Sequence, residues 1–111
     1  MASTVVVDMK TCSHKHTITV SMRDDGNMDV KIVSDCPNIQ EYARNLTEIS
    51  ADDAMDFGRG KINDPDIRAS MSATCLCPLG VVNAAWKEMG MLSKSLCKKV
   101  HSNDIILDPS E

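Results

Sequence analysis

The spacing of apolar residues changes between Ser34 and Pro37, and this change constrains the fold more than any other feature of the sequence. Before it, apolar and polar residues alternate, as they do in strands with one buried face. After it, the apolar residues between Ile39 and Leu46 recur at the spacing of a helix. We therefore predict an α+β fold in which a mostly antiparallel sheet is followed by helices.

The sheet is predicted to contain three strands, at residues 4–9, 17–22 and 28–33. The segment 24–27, Asp-Asp-Gly-Asn, is typical of a turn and joins the second and third strands as a hairpin. Residues 100–107 are the candidate fourth strand, at an edge of the sheet, because the Asp108-Pro109 pair that follows would end it.

Proline and acidic residues mark the predicted helix starts. Pro37 suits the first position of a helix, where its missing N–H costs nothing, so Cys36 is the expected N-cap. Three further helices are predicted: one after Ser50 that stops near Gly58, one that opens at Asp64-Pro65, and one that opens at Cys77-Pro78 and ends near Gly90.

The composition predicts a single domain over residues 1–111. Hydrophobic residues make up 42% of the chain, and no run approaches the roughly 20 apolar residues of a membrane helix. The N-terminus lacks the basic and long apolar regions of a secretory leader, so we expect a cytoplasmic protein without membrane attachment. A net charge of -4 and 3% aromatic residues argue against a nucleic-acid partner.

The five cysteines favour metal binding or redox chemistry over a disulfide framework, because their number is odd and nothing suggests export. Cys36 and Cys77 each precede a proline that opens a helix, where the helix dipole favours the thiolate. Cys12 follows the first strand, and an antiparallel sheet would bring its loop to the end that carries Cys36. Since thiolates bind both iron-sulfur clusters and zinc, we predict a metal centre held by Cys12, Cys36 and Cys77.

The fourth ligand of this centre has several candidates. Cys75 would complete a four-thiolate set of the kind that 4Fe-4S clusters and structural zinc use. His14 or His16 would give a mixed site, although the pattern also fits polar surface residues near the start of the second strand. A small molecule, or a residue of a second copy in a homodimer that shares the site, is the remaining alternative.

A redox enzyme is the alternative from another class. In it, Cys77 would be the attacking thiolate of a thiol-disulfide pair and Cys75 the resolving cysteine. The sequence contains no Gly-x-Ser-x-Gly, His-Glu-x-x-His or phosphate-binding glycine loop that would indicate another kind of catalysis. We therefore expect a binding protein rather than an enzyme.

The order of these segments resembles that of the iron-sulfur cluster assembly scaffolds of the IscU and NifU type. A strand, a cysteine loop, a hairpin and two cysteines at helix starts follow one another over most of the chain. The resemblance implies an IscU-like fold in which Cys12 corresponds to the first ligand, Cys36 to the second, and Cys77 or Cys75 to the third.

The chain also departs from those scaffolds. They follow the first cysteine with glycine and an acidic residue, where this chain has Ser13-His14, and they place a histidine beside the third cysteine, where this chain has Cys75. The segments 34–37 and 77–78 further resemble a family of small uncharacterised cysteine-containing proteins of methanogenic archaea. We therefore predict a small protein that holds an iron-sulfur cluster, or alternatively zinc, as a carrier, scaffold or electron-transfer partner of another protein.

Overall fold

The computed structural model describes residues 2–111 and contains a four-stranded antiparallel sheet. The strands are β1 (Ala2–Met9), β2 (His14–Met22), β3 (Met28–Ser34) and β4 (Glu48–Ile49), in the spatial order β1-β2-β3-β4. The helices follow β3, with β4 between the first two of them. The predicted α+β class is therefore confirmed.

The register of the strands fixes which loops meet. Met9 of β1 lies opposite His14 of β2, and His16 of β2 lies opposite Ser34 of β3. The turn from β1 to β2 and the exit from β3 therefore lie at the same end of the sheet. Two of the predicted ligands belong to these two segments.

The helices are α1 (Pro37–Asn45), α2 (Ala51–Met55), α3 (Pro65–Arg68), α4 (Cys77–Glu88) and α5 (Lys94–Val100), with a 3₁₀ turn at Lys61–Asn63. Cys36 is the N-cap of α1, as predicted. Before α2, the Ser50 hydroxyl accepts from the Asp53 N–H and the Asp53 carboxylate accepts from the Ser50 N–H, which is a capping box. Within residues 2–111, no helix is both long and apolar enough to cross a membrane.

The core lies between the inner face of the sheet and the helices. Ile18 and Val20 of β2 are fully buried, and α4 packs across β1 and β2. Gly80 allows this close approach, because a Cβ there would lie 2.5 Å from Cγ2 of Val7 and 2.6 Å from Cδ1 of Ile18.

The prediction of a fourth strand at residues 100–107 is wrong. Val100 belongs to α5, which begins after Ser93, whose hydroxyl accepts from the Leu96 N–H. Within residues 2–111, the apolar run beyond α5 is not part of a strand, and Ile105, Ile106 and Leu107 are 65%, 78% and 68% exposed. The fourth strand is instead β4, because Ile49 is fully buried opposite Met28.

Candidate metal centre

A cavity of about 270 Å³ lies at the end of the sheet where β1 turns into β2 and β3 leads into α1. Three cysteines and two histidines line it: Cys12, Cys36, Cys75, His14 and His16. All of the cysteines are free thiols. The cavity therefore gathers donors from the β1–β2 turn, from β2, from the start of α1 and from the loop before α4.

Local features of the backbone position Cys12 and Cys36. Cys12 is exposed in the turn 10–13, which Ser13 closes in the left-handed region with φ of 61°. Cys36 is half-buried, and its N–H donates to Ser34 Oγ at 2.9 Å. The Cys36 thiol makes no capping hydrogen bond to α1, so it is available to the cavity.

Cys75 and Cys77 lie in different environments. Cys75 is half-buried and lines the cavity, whereas Cys77 is 0% exposed and belongs to the hydrophobic core. Burial, together with the charges of Cys75 and Cys36, raises the pKa of the Cys77 thiol to about 12. The expected thiolate at the start of α4 is therefore wrong, because desolvation outweighs the helix dipole at this position.

The pKa of the Cys75 thiol depends on the other sulfurs of the cavity. Burial raises the pKa of Cys75, and a hydrogen bond from the backbone N–H of Cys77 opposes this rise. Negative charge on Cys12 or Cys36 would raise the pKa of Cys75 further. A negative charge on Cys12 or Cys36 therefore makes ionisation of Cys75 harder, and a cation between the sulfurs would relieve this repulsion.

The two histidines lie on the same face of β2, because residues two apart in a strand share a face. His14 is half-buried, and its Nδ1 lies 2.8 Å from Oδ1 of Asp35, whose pKa is lowered by this hydrogen bond. His16 is 1% exposed, and its Nδ1 lies 2.7 Å from Ser34 Oγ. Burial lowers the pKa of His16, and the charge of His14 acts in the same direction.

His16 is buried, in contrast to its interpretation as a surface residue, and one of its ring nitrogens is unpaired within residues 2–111. Nε2 of His16 is buried and has no hydrogen-bond partner in the described part of the chain. A buried polar atom without a partner typically costs about 1–3 kcal/mol. Burial therefore favours the neutral imidazole, which is the form of histidine that binds metals, and one of its ring nitrogens is unused.

The donors suit a soft or borderline metal, but they are not preassembled around one. Among residues 2–111, no group of three or more His, Cys, Asp or Glu side chains already has an arrangement that could hold a metal ion. Thiolates and a neutral imidazole are the donors that zinc and iron-sulfur centres use. Ligation would thus require side-chain rotation, which the exposed Cys12 can undergo without disturbing the core.

Sequence reasoning missed the two residues that hold these imidazoles, Ser34 and Asp35. Ser34 lies directly opposite His16 in the register of β2 and β3, and Asp35 follows it in the chain. The turn at 24–27 could have predicted that Ser34 lies opposite His16, because a hairpin fixes which residues of its two strands are paired.

Together, the fold and the cavity define a small α+β domain with a cysteine- and histidine-lined site at one end of an antiparallel sheet. The chain belongs to a family of unknown function, DUF6951, whose family model matches residues 3–100. The match includes every cysteine and both histidines of the cavity. No curated protein and no solved structure matches the chain.

Proposed function

We propose that this protein binds a metal centre, most favourably an iron-sulfur cluster, through Cys12, Cys36 and Cys75. The observation that carries the proposal is the meeting of three free thiols from three separate segments in one cavity. The environment of Cys75 gives a further reason, because negative charge on Cys12 or Cys36 opposes its ionisation until a cation is bound. Cys77 lies two residues further along the chain, in the hydrophobic core, and its backbone N–H acts to lower the pKa of the Cys75 thiol.

The cavity has room for a cluster as well as for a single zinc ion. A single ion needs less room than a water molecule, whose share of liquid volume is about 30 Å³. The cavity of about 270 Å³ is much larger than that. The backbone N–H of Cys77, which acts to lower the pKa of the Cys75 thiol, is of the kind that tunes iron-sulfur centres.

The order of the cysteine-bearing segments supports a role close to that of the IscU and NifU scaffolds, which it resembles. The departure at Ser13-His14 favours a protein that retains its cluster over one that hands it on, because those scaffolds have an acidic residue there. We further propose that the protein works in the cytoplasm, as a carrier, scaffold or electron-transfer partner of another protein. An origin in methanogenic archaea, where iron-sulfur chemistry is abundant, is in keeping with this role.

Burial argues against the redox alternative. An attacking cysteine needs access and a stabilised thiolate. Cys77 has neither, since it is 0% exposed and burial raises its pKa to about 12.

The proposal is tested by purifying the protein without oxygen, reconstituting it with iron and sulfide, and comparing Cys12→Ser with Cys97→Ser. Cys97 is a suitable control because it is a half-buried thiol that lines a different cavity, with Lys94 and Lys98. We expect a visible absorption band and matched iron and sulfide in the wild type and in Cys97→Ser, with both lost in Cys12→Ser. Stoichiometric zinc without colour would replace the cluster by a zinc centre, and equal metal content in both variants would refute the site.

A further inference from the structure

His16 is a buried polar side chain that the sheet directs into the cavity. It occupies an inner-face position of β2, next to Ile18 and Val20 along the same face, which are both fully buried core residues. His16 itself is 1% exposed and lines the cavity. Its Nδ1 is taken by Ser34, while its Nε2 has no partner in the described residues.

Ser34 connects this imidazole to a proposed ligand. Its Oγ accepts a hydrogen bond from the Cys36 N–H at 2.9 Å and lies 2.7 Å from Nδ1 of His16. When Nδ1 carries the proton and donates it to Ser34, the lone pair is on Nε2. Metal-ligating histidines are oriented in this way, by a hydrogen bond from the nitrogen that does not bind the metal.

The other candidates for a fourth ligand are less suited to it. Cys77 is not among the residues that line the cavity, and it is packed in the core. His14 lines the cavity, but about a third of its side chain, 32%, is exposed, so water can serve its second nitrogen. His16 alone has a buried nitrogen for which the described residues provide no partner.

From this geometry we infer that Nε2 of His16 is the fourth ligand of the centre, which gives a donor set of three thiolates and one imidazole with Ser34 as the residue that positions the ring. The inference rests on the proposed function and specifies its chemistry. On binding, each of Cys12, Cys36 and Cys75 releases its thiol proton to solvent, and the neutral His16 releases none. Because imidazole adds no negative charge, the centre has a higher reduction potential than an all-thiolate cluster of the same type.

The test uses the full chain, loaded with an iron-sulfur cluster and reduced, with histidine labelled by ¹⁵N or left at natural abundance. Pulsed electron paramagnetic resonance then detects a histidine nitrogen bound to the cluster. We expect a nitrogen coupling that changes with the label in the wild type and in His14→Ala. We expect His16→Cys to retain iron and sulfide, to lose this coupling, and to have a lower reduction potential.

The outcomes separate this inference from the proposed function. If the wild type binds no cluster, both fail. If it binds a cluster without a strong nitrogen coupling, or if the coupling is lost in His14→Ala rather than in His16→Cys, the site stands and the assignment of His16 is wrong. If His16→Cys does not fold, the labelled wild type still decides whether a histidine is a ligand. Ser34→Ala keeps Nε2 of His16, so it should broaden the nitrogen coupling without removing it.

Discussion

Replacing Cys77 and Cys75 by serine should have opposite effects on stability and on metal binding. Cys77 is 0% exposed in the core, so Cys77→Ser buries a hydroxyl group where a thiol had been packed. Mutational data put the cost of burying an uncompensated hydroxyl at about 1–3 kcal/mol. For a domain of about this size, 1 kcal/mol lowers the Tm by roughly 4–8 °C. Cys75→Ser replaces a half-buried thiol at a cavity wall, and we expect it to cost less than about 1 kcal/mol.

The measurement is thermal and urea unfolding of the metal-free chains under reducing conditions, followed by circular dichroism and by the fluorescence of Trp86, the one tryptophan. Metal content is then determined on the folded fraction of each variant. We expect Cys77→Ser to lose stability but to keep its metal, and Cys75→Ser to keep its stability but lose its metal. A folded Cys77→Ser that binds no metal would show that Cys77 is a ligand, and would refute the separation of core and site.

Three further substitutions test the packing and hydrogen bonds of the fold. Tyr42→Phe removes a buried hydrogen bond of 2.7 Å to the Ile62 carbonyl and should cost about 1–3 kcal/mol of unfolding free energy; an unchanged Tm would contradict this. Gly80→Ala should lower the unfolding free energy by up to about 2 kcal/mol. Overpacking against Val7 and Ile18 costs about 1–3 kcal/mol, whereas the better helix propensity of alanine stabilises by only about 1 kcal/mol. For Glu88, burial acts to raise the pKa, but hydrogen bonds from the Met22 N–H and the Ser3 hydroxyl outweigh it, and the pKa is lowered. The stabilisation that the Glu88 carboxylate provides is therefore complete above its unfolded pKa and is lost as the pH falls through its folded pKa. The difference in unfolding free energy between the wild type and Glu88→Gln, measured by urea unfolding, should thus shrink below a pH of about 4.5.

Local signals predicted the first half of the fold well. Alternation sets which face of each strand is buried, and the turn at 24–27 sets the pairing of β2 with β3, so the end of the sheet that carries Cys12 and Cys36 follows from sequence alone. The pairing of β4 could not be predicted in this way. It spans only Glu48–Ile49, and it is held by long-range contacts, such as the salt bridge of 2.8 Å from Arg23 to Glu48, which have no local signature.

The candidate site was predicted in part for the same reason. The order of the cysteines indicated which segments meet, but whether Cys75 or Cys77 faces the cavity depends on how α4 lies on the sheet. The dipole argument for Cys77 considered the start of α4 in isolation. The structure places the same sulfur in the core, where desolvation dominates and raises its pKa to about 12.

His16 shows how the sheet connects the core to the proposed chemistry. The alternation that buries Ile18 and Val20 also buries residue 16, so this imidazole is placed by the same rule as its apolar neighbours. An apolar side chain would fill that position without leaving a ring nitrogen unpaired, whereas histidine leaves a cost of about 1–3 kcal/mol in the metal-free chain. A metal bound at Nε2 removes that cost. It would also offset the charges of Cys12 and Cys36 that oppose ionisation of Cys75, so the unpaired ring nitrogen and the three sulfurs favour the same ligand.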